Sequence, residues 1–424
     1  MAGQISISSL LTQLQRQFQK SRPLRLTTYF ITFIFIFYQI HSSIYGIKNL
    51  NDAHNRKVSE YPIKSKPSSI SDNYSDLMTP LDKLSIIEPH STLRQQLHFQ
   101  FPYDPNSDFP KQIWQTWKYD LSSPKFKPKF IKYVRQWQDT NQDHRHNLLS
   151  DEQAFKLIDT LYSTVPSVLK AFHAMPKSIL KADFFRYLIL FARGGIYADI
   201  DTMSLKPVDT WVTSNSTIYD QRNTAGLVIG VEADPDREDW NVYYAKRVQF
   251  CQWTIMSKVG HPALGELIAK ITEITLEKLE KGELNKIKGK DAGDDIMNWT
   301  GPGIFTDEIF QYLNYLHDTV PSSELHIVNH IPDNEYNKSL KPSSPIDWKY
   351  FTLMENTIAI YHDVMVLPIT SFSPDVGHMG SETSKHPMSF VKHMFEGSWK
   401  PEDERHVGDV NNDENKVERR GFKQ

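Results

Sequence analysis

Two aspartates one residue apart, Asp199 and Asp201, offer the clearest chemistry in the sequence. They follow Gly194-Gly195 and an apolar run that predicts a strand from Ile196 to Ile200. Alternation along an extended backbone would place both carboxylates on the same side. Paired carboxylate oxygens suit a hard divalent cation such as Mg²⁺ or Mn²⁺, which commonly bridges a protein to substrate phosphates. The alternative is an acidic strand end that is only solvated at a turn.

A second set of polar groups lies on the helix that leads into this segment. The apolar spacing predicts a helix from about Lys177 to Arg193 that ends at Gly194. Asp183 and Arg186 are three positions apart on it, which is compatible with an exposed ion pair. The other interpretation is that the helix directs Arg186 toward a phosphate and Asp183 toward sugar hydroxyls, beside the aspartates.

The elements that must position these residues alternate along the chain. Strands are predicted at about 109–117, 196–200, 226–232, 325–328 and 358–361. Helices are predicted at about 128–138, 152–161, 177–193, 262–281 and 303–316. Helices that alternate with short strands indicate an α/β architecture.

Composition and charge are those of an ordinary globular protein. The 424 residues are 39% hydrophobic and 23% charged, with a formal net charge of −3. No global field favours nucleic acid, and we expect no nucleic-acid partner. The single cysteine, Cys251, excludes an internal disulfide and a cysteine-based zinc site, and its apolar neighbours favour a place in the core.

The N-terminal part of the sequence predicts a membrane anchor. Residues 26–47 carry no charge and, as one helix, are long enough to span a bilayer core. Residues 1–25 hold basic side chains and no acid, which predicts a cytoplasmic tail. A cleaved signal peptide is the alternative. The favoured interpretation is a single-pass type II membrane protein whose body is lumenal.

Three further segments differ in composition. Residues 48–107 are polar and broken, which predicts a lumenal stem, with order beginning near Phe109. Residues 108–400 form the predicted folded domain, and residues 401–424 a disordered polar tail. Four N-glycosylation sequons are compatible with a lumenal body, without indicating which are used: Asn73, Asn215, Asn298 and Asn337.

The combined motifs resemble glycosyltransferase family 32. Two carry most of the resemblance, Ala182–Leu190 and the Asp-x-Asp segment Gly194–Asp201. Pro110–Lys118 is similar to the opening strand of the family, with Trp114 where histidine is common. The resemblance covers roughly Phe109 to Lys400. Further segments are similar to the yeast α-1,6-mannosyltransferases that initiate outer chains: 230–233, 250–254, 260–262 and 299–306.

This resemblance implies a GT-A fold, a Rossmann-like mixed sheet flanked by helices. It implies retaining transfer of mannose from GDP-mannose, with Mn²⁺ as the usual metal. Asp199 and Asp201 would hold that metal, which neutralises charge on the departing GDP. Matching positions imply donor-site roles for Asp183, Arg186 and Tyr197. The nucleotide-side strand would contribute Gln115, Thr116 and Trp117.

A late segment, His393–Lys400, resembles the closing His…Gly…Trp segment of several GT-A enzymes. The resemblance implies that His393 is a third metal ligand, with Glu396 as its substitute. Imidazole suits Mn²⁺ less well than oxygen but is tolerated. Ser398 and Trp399 would close over the diphosphate. The alternative is a surface histidine before a packing tryptophan.

The function implied by the resemblance is α-1,6-mannose transfer to an N-glycan core in the Golgi. Two alternatives remain: mannose transfer to inositolphosphoryl-ceramide, and a low-activity subunit of a mannan polymerase beside other mannosyltransferases. Three weaker site candidates also remain. Asp294-Asp295 would face the acceptor or be only a charge at the start of a helix. Asn298 would line the acceptor side or be used as a glycosylation sequon. Tyr361-His362-Asp363 would be an acid–base pair or a strand-end packing group.

Overall fold

The computed structural model describes residues 91–235, 238–242, 244–286, 293–321, 327–329, 344–355 and 357–396. These residues all belong to one structural unit of the chain. The predicted tail 1–25, the anchor 26–47, most of the stem and the tail 401–424 lie outside them. Within the described ranges, no helix is both long and apolar enough to cross a membrane.

The described elements alternate as the sequence predicts. The helices are α1 (Leu93–Gln100), α2 (Pro128–Thr140), α3 (Asp151–Leu161), α4 (Pro166–Ala174), α5 (Ser178–Arg193), α6 (Pro262–Glu280), α7 (Gly293–Trp299) and α8 (Pro302–Thr319). The strands are β1 (Gln112–Trp117), β2 (Arg145–Ser150), β3 (Gly195–Ala198), β4 (Thr202–Ser204), β5 (Thr217–Ile218), β6 (Gln221–Arg222), β7 (Leu227–Ala233), β8 (Gln249–Phe250), β9 (Thr254–Ser257), β10 (Ile327–Asn329), β11 (Ala359–Tyr361), β12 (Val364–Leu367) and β13 (Val391–His393). All five predicted helices are confirmed to within a few residues.

One mixed sheet organises the domain. Over the described ranges its strands run in the order β10-β11-β12-β7-β9-β3-β1-β2, and β8 pairs with β7. β1 is parallel to both β2 and β3. β9 is antiparallel to both β3 and β7, so β3 and β7 point the same way. The carboxyl ends of β1, β3 and β7 therefore meet at one edge, where open α/β sheets place their ligand sites.

Alternation along the central strands divides the apolar residues between the two faces of the sheet. Tyr197 and Ile229 join the larger core, which also includes residues of α1 and α3–α8. Ile196 and Val228, their neighbours in sequence, join a second core with Trp211 on the other face. Burial on both faces is the environment of a central strand, and it holds the strand ends in a fixed register.

Helix α5 lies at the centre of the larger core and ends beside the site. Its residues from Phe184 through Ala192 are all buried, which is typical of a helix packed on every side. It ends at Gly194, whose φ is +62° and whose N–H donates to Leu190 O at 2.8 Å. A Cβ on Gly194 would lie 2.8 Å from Pro110 Cγ, so both the backbone angle and the space require glycine.

A short helix extends the packed structure into the segment that the sequence assigned to the stem. α1 begins at a capping box formed by Thr92 and Gln95. Arg94 then pairs with Glu266 and Glu273 of α6, both at 2.6 Å, and Leu97 is fully buried. Order therefore begins before Phe109. The sequence pattern did not predict this, because the residues that bind Arg94 lie far along the chain.

Candidate active site

The Asp-x-Asp segment is a turn, not the end of a strand. β3 stops at Ala198, and the N–H and Oγ1 of Thr202 both donate to the carbonyl of Asp199, at 3.1 and 2.6 Å. The expected strand to Ile200 is therefore wrong, and so is the argument that alternation aligns Asp199 and Asp201. The turn bends the chain where the side chains leave the sheet, and that bend lets the two carboxylates approach each other.

Gln115 on β1 holds this turn from the side of the sheet. Its Nε2 donates to the carbonyl of Asp199 at 3.1 Å, and its Oε1 lies 2.8 Å from Nε2 of His146. Gln115 is fully buried. Burial lowers the pKa of His146 to about 4, so this imidazole is neutral at neutral pH. The described contacts thus give Gln115 a positioning role toward Asp199.

A late segment of the chain closes on Asp201. β13 pairs antiparallel with β4, which places His393 opposite Thr202. The main chain of Asp201 then accepts the N–H of Met394 at 2.8 Å, and its Oδ2 accepts the N–H of Glu396 at 3.0 Å. One aspartate is thereby tied to the segment 393–396 through both its backbone and its side chain.

Asp199, Asp201 and His393 form a cluster suited to a metal ion. Each offers one ligand atom, and these atoms all lie within 4.8 Å of one another. The side chain of His393 is 10% exposed, so it is not a surface residue. Two carboxylate oxygens and an imidazole nitrogen are an appropriate donor set for Mn²⁺ or a similar divalent cation, and these residues therefore fit the implied metal.

The ring of His393 is oriented by its own backbone neighbour and by two aromatic rings. Its Nδ1 accepts the N–H of Phe395 at 2.8 Å, and its ring centroid lies 4.6 Å from Trp253 and 4.3 Å from Phe395. These contacts direct Nε2 toward Asp201. A cation held by Nε2 requires the ring proton on Nδ1, so ligation would replace the Phe395 contact.

Arg186 joins the helix α5 to the aspartate turn. Its Nη2 lies 2.9 Å from Oδ1 of Asp183 and 3.4 Å from Oδ1 of Asp199. The side chains of Arg186 and Asp183 are 4% and 3% exposed, so the exposed ion pair is wrong. The guanidinium also faces the ring of Tyr197, 5.1 Å from its centroid. This places one buried cation between two carboxylates at the mouth of the metal cluster.

Burial shifts the titration of these acids. It raises the pKa of Asp183 to about 7, against the opposing attraction of Arg186. Burial also raises the pKa of Asp199, and Arg186 and His393 oppose that rise. A cation that contacts Asp199 would favour its ionised form, so binding and deprotonation are coupled.

Thr116 and Tyr197, both predicted to lie at the sugar-donor site, support the aspartate turn. The hydroxyl of Tyr197 is hydrogen-bonded to the side chains of Asp199 and Thr116. Trp117 packs edge-on against Phe130, with ring centroids 4.6 Å apart. Its Nε1 is buried and has no hydrogen-bond partner among the described residues. Thr116 and Tyr197 therefore hold Asp199, a candidate metal ligand, whereas the indole N–H of Trp117 has no partner among the described residues.

The structure adds supporting residues to which sequence reasoning assigned no role. Gln252 accepts the hydroxyl of Tyr187 at 2.5 Å through its side chain and an Arg186 N–H at 3.3 Å through its carbonyl. Thr300 Oγ1 donates to Oδ2 of Asp183 at 3.1 Å. Both residues lie in segments that resemble the yeast mannosyltransferases, which was the available signal. Their contacts cross the domain, so no local pattern could reveal them.

The remaining candidates separate clearly. The carboxylate of Glu396 forms an ion pair with Lys129, and it lies outside the cluster of ligand atoms. Cys251 is fully buried, as predicted. Asp363 lies in a buried network with Tyr312 and His261, which supports the packing interpretation. Asp295 and Asn298 are exposed on α7. Outside the described residues are Ser398, Trp399 and the side chain of Asp294.

Comparisons with known proteins agree with this site. The family model described as "Glycosyltransferase sugar-binding region containing DXD motif" matches residues 127–218, which include α5 and the aspartate turn. The chain is 49% identical to the initiation-specific alpha-1,6-mannosyltransferase of Candida albicans, over 92% of this chain and 98% of that one. It is 40% identical to the protein of the same name in Saccharomyces cerevisiae, over 74% and 83% of the two chains.

A more distant match separates two groups of relatives. The inositol phosphoceramide mannosyltransferase 3 of Schizosaccharomyces pombe is 31% identical, over 28% of this chain and 34% of that one. The match to the Candida protein instead extends over nearly the whole of both sequences. The fold is accordingly a glycosyltransferase fold, a mixed sheet flanked by helices with an Asp-x-Asp turn at its edge. The chain belongs to the family of the initiation-specific alpha-1,6-mannosyltransferases.

Proposed function

We propose that this protein transfers mannose from GDP-mannose to an N-glycan in an α-1,6 linkage, with Mn²⁺ as its metal. The cluster of Asp199, Asp201 and His393 carries the proposal. A GT-A type fold and retention of the α configuration accompany it. The Golgi membrane, with the domain on its lumenal side, is the proposed location.

The residues of the candidate site would have different parts in that reaction. Asp199, Asp201 and His393 would hold the divalent cation, and the metal would neutralise charge on the diphosphate as GDP leaves. Arg186 adds a buried guanidinium that is suited to phosphate oxygens. Asp183 holds Arg186 through an ion pair, and the hydroxyl of Tyr197 holds Asp199 through a hydrogen bond. The indole N–H of Trp117 has no partner among the described residues and would be available as a hydrogen-bond donor.

The length and position of the matches favour the N-glycan acceptor over a lipid. The relatives named as initiation-specific mannosyltransferases match over 92% and 74% of this chain. The match to the inositol phosphoceramide enzyme covers about a quarter of the chain. An acceptor is chosen by residues beyond the donor site, so the longer match is the more informative one.

The experiment is GDP-mannose turnover by the full-length chain in detergent, with and without Mn²⁺. The acceptors are a mannose-type N-glycan and inositolphosphoryl-ceramide, in separate reactions. We expect an α-1,6-linked product on the N-glycan, identified by mass spectrometry and linkage analysis. Product on the lipid alone would contradict the acceptor. Co-purification with other mannosyltransferases and no turnover alone would favour the low-activity subunit.

The metal role is tested with one substitution and a matched control. Asp201→Ala removes a proposed ligand, whereas Asp209→Ala removes an exposed aspartate that pairs with Lys111. We expect Asp201→Ala to lose Mn²⁺ binding measured by electron paramagnetic resonance, as well as turnover. Asp209→Ala should keep both. Equal Mn²⁺ binding by the two variants would remove Asp201 from the ligand set.

A further inference from the structure

One carboxyl near the site has no place in the donor chemistry described above. Glu232 is the penultimate residue of β7. Its Oε2 is buried and lacks a hydrogen-bond partner in the described part of the chain. The side-chain amide of Gln249 hydrogen-bonds the carboxyl, and Gln249 is itself held by the N–H of Ala245 at 3.0 Å. One oxygen of Glu232 is therefore supported from behind while the other remains unsatisfied.

A β-bulge sets the direction of Glu232. In the pairing of β7 with β8, Val231 lies opposite Phe250 and Ala233 lies opposite Gln249. Glu232 is thus the additional residue, without a partner of its own. Bulges of this kind are common next to active sites, where they redirect a side chain that regular alternation would place elsewhere.

The sheet register places Glu232 at the edge of the sheet from which the aspartate turn leaves. Met256 of β9 lies opposite Ile196 of β3 on one side and Val228 of β7 on the other. Counting two residues forward, Ala198 at the end of β3 corresponds to Gly230 of β7, so Glu232 lies beyond the end of β3, on the side where the turn follows. Two strand spacings separate β3 from β7, which is roughly 10 Å. Glu232 is also close enough to Arg186 for the guanidinium to oppose the rise in its pKa.

We propose that Glu232 binds a hydroxyl of the acceptor sugar, on the β7 side of the candidate metal cluster. This inference rests on the proposed function. The sheet supplies the order: Gln115 and Trp117 on β1, then the metal turn after β3, then β9 and β7. A donor whose nucleotide lies on the β1 side has its sugar and the acceptor beyond the metal, toward β7.

The chemistry of the carboxyl fits a neutral hydroxyl and not a diphosphate. Burial raises the pKa of Glu232 to about 8, so the group is largely protonated at neutral pH. Because Gln249 already binds the carboxyl, the protonated acid has Oε2 left, through which it can donate one hydrogen bond to the oxygen of a sugar hydroxyl. Nearer the turn, the guanidinium of Arg186 already contacts the carboxylates of Asp183 and Asp199. Asp183 also accepts a hydrogen bond from Thr300.

The test separates acceptor binding from donor binding and from folding. Glu232→Ala removes the hydrogen-bonding group, and Glu232→Gln keeps it without the acid. With GDP-mannose, Mn²⁺ and a tagged mannose-type N-glycan, we expect Glu232→Ala to raise the acceptor KM about tenfold, as for one lost hydrogen bond in a closed site. The KM for GDP-mannose should change less than about twofold, and Glu232→Gln should recover most of the acceptor KM.

The control is Glu308→Gln, a buried glutamate on α8 that pairs with Lys270 at 3.1 Å, and it should leave the acceptor KM unchanged. If Glu232→Ala does not fold, Glu232→Met fills the space without a polar group and replaces it. An unchanged acceptor KM, or equal rises in both KM values, overturns the inference. Absence of turnover in the wild type overturns the proposed function instead, so the two failures are distinguishable.

Discussion

Nε2 of His393 lies 3.5 Å from Oδ1 of Asp201, although the two residues are far apart in the chain. The pairing of β13 with β4 brings them together, and the N–H groups of Met394 and Glu396 then bind Asp201. The candidate metal cluster is therefore completed by the strand β13, which comes from a segment late in the chain. Removal of the His393 imidazole should weaken binding of the metal ion without unfolding the sheet.

We expect His393→Ala to raise the Mn²⁺ concentration for half-saturation by roughly tenfold or more, because a ligand is lost. The matched control is His173→Ala, an exposed histidine that pairs with Asp159 on the surface. Both variants are titrated with Mn²⁺ by electron paramagnetic resonance, in the presence and absence of GDP. Identical titration curves for the two variants would show that His393 is not a ligand.

Arg186 should matter for stability as well as for activity. Arg186→Leu leaves Asp183 and Asp199 facing each other without their shared cation. Breaking a buried pair in this way typically costs about 3–5 kcal/mol in the free energy of unfolding. Arg186→Lys should restore only part of it, because one ammonium cannot span two carboxylates as a guanidinium does. Urea denaturation of the three proteins measures these differences, and full recovery by lysine would contradict the bridging role.

Two glycines with nearly equal φ angles, Gly194 and Gly282, offer a comparison. Gly194 and Gly282 have φ of +62° and +65°, but a Cβ at Gly194 would meet Pro110 and Ser257 O, whereas one at Gly282 meets nothing within 4 Å. Gly282→Ala should therefore cost only the conformational penalty, about 1–2 kcal/mol. Gly194→Ala should cost clearly more and reduce turnover, since it displaces the start of β3. Thermal unfolding and turnover of the two variants check this, and equal losses would remove the steric argument.

Acid stability should depend on Asp363, which lies in the turn between β11 and β12. Tyr312 donates to its Oδ2 at 3.0 Å, Tyr103 donates at 3.3 Å, and Nε2 of His261 lies at 3.3 Å. Although burial opposes it, His261 and these hydrogen bonds lower the pKa of Asp363. A lowered folded pKa stabilises the protein above the unfolded value of about 3.9, and that stability is lost as pH falls through the folded pKa.

Asp363→Asn should therefore lower the free energy of unfolding at neutral pH. It should also make that free energy decline less steeply as the pH falls below about 4. Urea denaturation at a series of pH values from 6 downward measures both effects. Asp375→Asn is the comparison, because Asp375 also has a lowered pKa but is only partly buried, beside Lys392. A decline as steep in Asp363→Asn as in the wild type would exclude this residue as the source.

Much of the architecture followed from local pattern. Helix α5, its glycine stop and the strand after it are determined by apolar spacing and by the backbone freedom of Gly194. The helix α1 was missed because its ion pairs with α6 connect a short polar segment to distant residues, and the capping box of Thr92 and Gln95 alone does not predict a packed helix. Trp114, whose role the sequence left open, donates its indole N–H to the carbonyl of Gly194 at 2.8 Å.

The sequence by itself predicted the residues of the candidate site: Asp183, Arg186, Asp199, Asp201 and, through family resemblance, His393. The tertiary structure decided how they act. It replaced strand alternation by a turn at Asp199, converted an apparent surface ion pair into a buried bridge, and set Glu232 at the same edge through a bulge. The physical reason is that periodicity reports contacts within one helix or strand. The pairing of distant strands fixes which carboxyls meet, and which carboxyl oxygen remains without a partner among the described residues.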